Sequence, residues 1–89
     1  MTKKAAKLLE KMRRSNKNWK RKDVESLYSG HGFIIVTKKG KHDKVYHPKY
    51  PHLIAFIPRH NKIGEYVIDD AVNLVDRLND LENKGQRDE

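Results

Sequence analysis

Histidines 42, 47, 52 and 60 fall within "KKGKHDKVYHPKYPHLIAFIPRH" (38–60), a stretch that also holds six lysines and arginines. Metal ligation is one chemistry for such a mixture. Five-residue steps on a bent hairpin give the imidazoles no natural convergence, and no carboxylate pair accompanies them, so neither a metal nor another cofactor is expected. The other is RNA cleavage without a metal. It needs a base to take the 2′-hydroxyl proton before in-line attack on phosphorus, and cations to hold the charge developing on the phosphorane. Histidine as a residue type titrates near about pH 6.5 and keeps a neutral fraction at cellular pH. His42 is the candidate base, with Lys38, Lys39, Lys41 and Lys44 as the candidate cations.

A strand must position them. If one starts at His42, alternation puts His42, Lys44 and Tyr46 on one face and Asp43, Val45 and His47 on the other. Val45 is the natural core residue, so His42 and Lys44 face away from any covering helices. Tyr46 is a candidate stacking platform for a base, or a packing partner for Ile54 and Phe56 on the same face. Arg59 and His60 follow the next apolar run and are further candidate RNA contacts. His47 suits a structural role and His31 a turn.

The remaining elements follow from periodicity and punctuation. Ala5, Ala6, Leu8, Leu9 and Met12 predict a basic amphipathic helix over 3–14. "SNKN" (15–18) breaks it, with Asn16 or Asn18 as the expected cap of a second helix reaching Tyr28, and Trp19 as a staple on Val24. "SGHG" (29–32) stops that helix, Gly30 or Gly32 supplying a left-handed turn. "FIIVT" (33–37), "HDKVYH" (42–47) and "LIAFI" (53–57) read as strands, joined by turns at Gly40 and at "PKYP" (48–51). Ile68, Ala71, Val72, Val75 and Leu78 predict a helix over 66–81. The order implies an α+β two-layer sandwich, a three-stranded antiparallel sheet with helices on one face. Residues 1–82 form one domain, with 1–17 a basic helical extension and 18–82 the core; the polar 83–89 is expected to be a disordered tail.

Eighty-nine residues, no cysteine and a net charge of +8 bound the function. Disulfides and cysteine-ligated zinc are excluded. No apolar run spans a bilayer and the N-terminus lacks a secretory signal, so a cytoplasmic protein without a membrane partner is expected. The charge is uneven. Residues 1–50 carry 15 Lys and Arg against 4 Asp and Glu, a net of +11, whereas 51–89 carry 5 against 8, a net of −3. A basic surface for a polyanion follows.

Taken in order, Gly32-Phe33, Gly40-Lys41-His42, His47-Pro48 and Pro58-Arg59-His60 resemble the HicA family of toxin-antitoxin systems. "NWKRKDVESL" (18–27) is similar to the helix start in the branch of that family with an extra N-terminal segment. The resemblance spans about Asn18 to Leu78. It implies a double-stranded-RNA-binding-like fold, a ribosome-independent mRNA endonuclease with His42 at the catalytic histidine, and a HicB-like antitoxin as partner. Lys41 stands where the family carries serine. That departure favours the rival reading, a non-catalytic RNA-binding module of the same fold.

One consequence of the alternation is awkward. Ile34, Val36, Ile54 and Phe56 point outward with His42, which makes an apolar open face. The first helix, the antitoxin and a second copy of the chain are the candidate covers.

Overall fold

A computed structural model describes residues 3–37, 40, 42–59 and 63–87, with side chains as far as residue 83. Ala5, Leu9 and Met12 recur on one stripe, and burying that stripe makes Lys3–Arg14 a helix (α1). The second helix, α2 (Arg21–Gly30), is entered differently from expectation. Neither asparagine caps it. The Asp23 carboxylate reaches back to accept from the Lys20 backbone N–H at 3.1 Å, satisfying an amide at the helix start. Asn18 instead takes a left-handed backbone (φ 64°), and the Asn16 amide donates to Asp69 on the last helix at 3.0 Å. Trp19 is half-buried against the core, its Nε1–H donating to the Ser15 carbonyl at 2.8 Å. Gly32, not Gly30, provides the left-handed turn after α2, with φ +88°.

Three strands follow: β1 (Ile34–Val36), β2 (His42–Tyr46) and β3 (Ile54–Pro58). They form an open antiparallel sheet in the order β1-β2-β3, so β3 is an edge. His42 stands opposite Pro58, Lys44 opposite Phe56, and Tyr46 between Ile34 and Ile54. Pro58 is the last residue of β3 and still pairs across from His42, one residue beyond the strand expected over 53–57.

The chain closes with α3 (Glu65–Arg87). It is longer than the apolar stripe predicts, because the helix continues through the polar stretch from 83 to Arg87, which composition marks as a disordered tail. Residues 88 and 89 lie outside the described residues.

One core holds these elements together. Val45 and Ile57, from the inner face of the sheet, are buried with Val24, Leu27 and Tyr28 of α2 and Ile68, Val75 and Leu78 of α3. Burying such side chains contributes roughly 1.5–3 kcal/mol each before entropy is subtracted. Leu9 and Met12 bring α1 into the same core, against α2 and α3. A bidentate Arg13–Asp76 pair (2.7 Å for both bonds) ties α1 to α3. The first helix is therefore no lid on the open face, because its apolar stripe is occupied by the other helices. Among the described residues no helix is long and apolar enough to cross a membrane.

Candidate functional site

The open face of the sheet carries the predicted base. His42 begins β2 and is exposed, and Lys44 and Tyr46, two and four residues on, share its face half-buried. Ile34 and Ile54 are 41% and 43% exposed and Phe56 is 60% exposed, so this face is apolar and uncovered. In register, Lys44 lies between Val36 and Phe56, which surround a cation with apolar side chains at the centre of the face. Of the other predicted cations and contacts, Lys38, Lys39, Lys41 and His60 lie outside the described residues.

The opposite side of the same strand is built from charge. Asp43, the neighbour of His42, is only 2% exposed. A buried carboxylate is costly unless it is paired, and two arginines pair it. Arg21, at the start of α2, donates to one Asp43 oxygen and also to the Pro58 carbonyl (3.2 Å). The Arg59 Nε–H donates to the other Asp43 oxygen at 2.9 Å. Glu25, one turn along α2, is a second partner for Arg21. The Arg21 hydrogen bond, with Arg59 adding to it, outweighs desolvation and holds the Asp43 carboxyl below its ordinary range. The pairing raises Arg21 in turn, chiefly through Asp43 and then Glu25.

This network ties three chain segments together directly behind His42: the start of α2, the start of β2 and the end of β3. The imidazole is exposed, but the backbone bearing it is clamped from the inner face. Arg59, expected on RNA, commits its Nε to the clamp while its side chain remains partly exposed. Sequence reasoning put Asp43 on the inner face but gave it no role. The available signal was the burial itself, since an inward-facing aspartate on a strand requires a cation, and Arg21 heads the nearest helix.

A groove of about 420 Å³ begins at His42 and runs between β3 and α3. Its β3 wall includes Phe56, and its α3 wall presents Tyr66, Asp70, Asn73 and Arg77. These α3 residues are three or four apart, hence on one stripe of the helix. Tyr66 is 64% exposed, yet its ring lies against the backbone at Gly64. A methyl group added at Gly64 would stand 2.9 Å from Tyr66 Cε1. The apolar stripe, on which the sequence expectation for this helix rests, lies on its other side and gives no sign of the groove.

Two further histidines, His47 and His31, support the fold. His47 is buried edge-on against Phe33 (ring centroids 5.0 Å apart), and its Nδ1 accepts from the Lys49 backbone N–H at 3.1 Å. His31 is buried at the end of α2, its Nδ1 2.8 Å from the Leu27 carbonyl. His52 is exposed beside the Tyr50 ring. Among the described residues no three histidines, aspartates or glutamates converge on a metal-binding arrangement.

No family model, curated protein or solved structure matches this chain. The likeness to HicA thus rests on the short motifs and their order along the sequence.

Proposed function

We propose that this chain is an RNA endonuclease that binds single strands across its open sheet face and cleaves them with His42 as the base. The observation that supports this reading most is the placement of His42. It stands exposed at the start of β2, on the face that carries Lys44 and at the mouth of a groove, with the Asp43–Arg21–Arg59 clamp fixing its strand from behind.

In this mechanism an imidazole nitrogen of His42 takes the 2′-hydroxyl proton, and the freed oxygen attacks the adjacent phosphorus. The bond to the 5′-oxygen breaks and that oxygen takes a proton from water, while the imidazolium returns its proton to the hydroxide so formed, leaving a 2′,3′-cyclic phosphate and a 5′-hydroxyl. Lys44 offers its charge to the phosphate as the phosphorane forms. The motif resemblance extends the proposal to a double-stranded-RNA-binding-like core with α1 as an added N-terminal helix, acting on mRNA in the cytoplasm as the toxin of a toxin-antitoxin pair. A HicB-like antitoxin laid over Ile34, Val36 and Phe56 would bury the apolar face and block His42 together. A second copy of the chain is the alternative cover.

A purified preparation tests the chemistry. Incubated with RNA in a chelator, the chain should yield fragments ending in 2′,3′-cyclic phosphate, and folded His42→Ala should yield them at least about a hundredfold more slowly. Equal cleavage by the folded variant would overturn the assignment.

One observation favours the second reading, a non-catalytic RNA-binding module. Among the described residues no side chain hydrogen-bonds the His42 imidazole, whereas catalytic bases are commonly oriented by a third group. Binding without cleavage by the parent chain would decide for it.

A further inference from the structure

The groove between β3 and α3 combines an aromatic ring of the sheet face with side chains of the last helix. Two exposed aromatic rings, Phe56 and Tyr66, belong to its opposite walls, and a carboxylate, an amide and a guanidinium (Asp70, Asn73 and Arg77) line the helix side. Exposed aromatics in an RNA-binding chain serve as stacking platforms for unpaired bases. The Tyr66 ring reaches back over Gly64, where an added Cβ would stand 2.9 Å from its Cε1.

Asp70 indicates which part of a nucleotide enters. A carboxylate repels phosphate, so the backbone belongs outside, toward His42 and Lys44. What a carboxylate accepts is N–H donors. Guanine alone among the four bases presents two adjacent donors, N1–H and the exocyclic N2–H, on its Watson–Crick edge. Adenine and cytosine offer one donor beside an acceptor, and uracil offers one between two carbonyls. Asn73, one turn beyond Asp70, adds an amide N–H for the guanine O6, and Arg77 a cation near the groove for the flanking phosphate.

We propose that this groove is a nucleobase subsite for single-stranded RNA, selective for guanine, in which Phe56 and Tyr66 stack on the base and Asp70 accepts its two N–H groups. The proposal rests on the RNA-binding reading above and adds to it a substrate preference: cleavage occurs beside guanine, because the base seated in the groove sets which phosphate reaches His42.

The experiment uses the full chain and two 2′-O-methyl pentanucleotides, UUGUU and UUUUU, which lack the nucleophile and report binding alone. By fluorescence anisotropy at fixed salt, the parent should bind the guanine oligomer at least about tenfold more tightly, the worth of one good bidentate base contact. Asp70→Asn should abolish that preference. Phe56→Ala and Tyr66→Ala should each weaken both oligomers by about tenfold, within the range of a lost stacking contact. Both rings are exposed, so the variants should melt with the parent. Gly64→Ala, which crowds the Tyr66 ring without removing it, should move affinity in the same direction by less.

Equal binding of the two oligomers by the parent, or unchanged affinity in both aromatic variants, overturns the subsite. So does a guanine preference that survives Asp70→Asn, including the case in which the groove receives a partner's side chain instead of RNA. The two proposals fail separately. His42-dependent cleavage of ordinary RNA with no guanine preference sinks the subsite and keeps the nuclease, whereas guanine-selective binding without cleavage does the reverse.

Discussion

The two faces of β2 divide the work of the molecule. Asp43 and Val45 point inward, where one is held by two arginines and the other is wholly buried. His42, Lys44 and Tyr46 point outward onto a face that nothing among the described residues covers. Adjacent residues thus live under opposite rules. An inward change must satisfy packing and charge at once, whereas a change at the exposed His42 is free of both and is felt only by whatever binds.

That contrast breaks most sharply if the outward residue does no chemistry. His42→Ala should lower RNA cleavage by roughly 10²–10⁴-fold, the usual worth of a positioned base. Its stability should stay within about 0.5 kcal/mol of the parent, as for surface substitutions elsewhere. Single-turnover cleavage and denaturant unfolding on one preparation check both halves.

The neighbouring inward change should do the opposite. Asp43→Ala leaves Arg21 and Arg59 without their shared partner, and breaking a buried pair costs about 3–5 kcal/mol. The lower end is expected, because Glu25 still holds Arg21 and Arg59 reaches water. Urea unfolding of this variant should show a much earlier midpoint; one unchanged from the parent would mean that the clamp holds nothing.

The same carboxylate should give the fold an acid limit. Its pKa is lower in the folded chain than the value of about 3.9 that an unfolded aspartate has. Stabilisation is therefore fully present above that value and is lost as pH falls below it, through the folded pKa. Circular dichroism from pH 6 downward should show Asp43→Asn starting less stable and losing less stability than the parent between about pH 4 and pH 2.

A smaller effect is expected at Gly32, where φ is +88° and an added Cβ would stand 3.2 Å from His47 Nε2. Gly32→Ala should cost about 1–2 kcal/mol from the left-handed backbone alone, read as a lower melting temperature. Smallest of all, Lys44→Gln should weaken RNA binding evenly across sequences and reduce the slope of affinity against salt by about one unit. A slope that did not move would place Lys44 away from the phosphates.

The helix and strand sequence was legible because period and punctuation agreed. Leu9 and Met12, or Val24, Leu27 and Tyr28, leave no choice but one buried stripe each. The outward placement of His42 followed from the single fact that Val45 must be inside. What the sequence hid was the identity of partners distant along the chain. Arg21 and Asp43 are separated by 22 residues; the inward aspartate calls for a cation, but several basic residues near the start of α2 could supply it. Asn16 looked like a cap because asparagines usually are; here its amide faces Asp69, 53 residues on, and Asp23 serves the helix instead. The length of α3 was missed for a different reason, since the polar stretch from 83 carries no apolar stripe to extend the pattern. The groove was illegible because its walls come from a strand edge and a helix that meet only in the folded chain.

The edge strand β3 has one more consequence, for the behaviour of many copies together. An unpaired strand edge is a template for another chain, and the apolar Ile54 and Phe56 beside it would seal such a junction. Pro51 and Pro58 bracket the strand, and Pro58 has no N–H to offer, so a growing ladder finds only a short stretch to grip. The other deterrent is the net charge of +8, which keeps molecules apart at low ionic strength. Salt screens it, with a Debye length of about 3 Å at 1 M. Concentrated stocks held in high salt to strip away nucleic acid should therefore turn cloudy sooner than dilute-salt stocks, by strands meeting edge to edge, and light scattering against salt would show where the repulsion gives out.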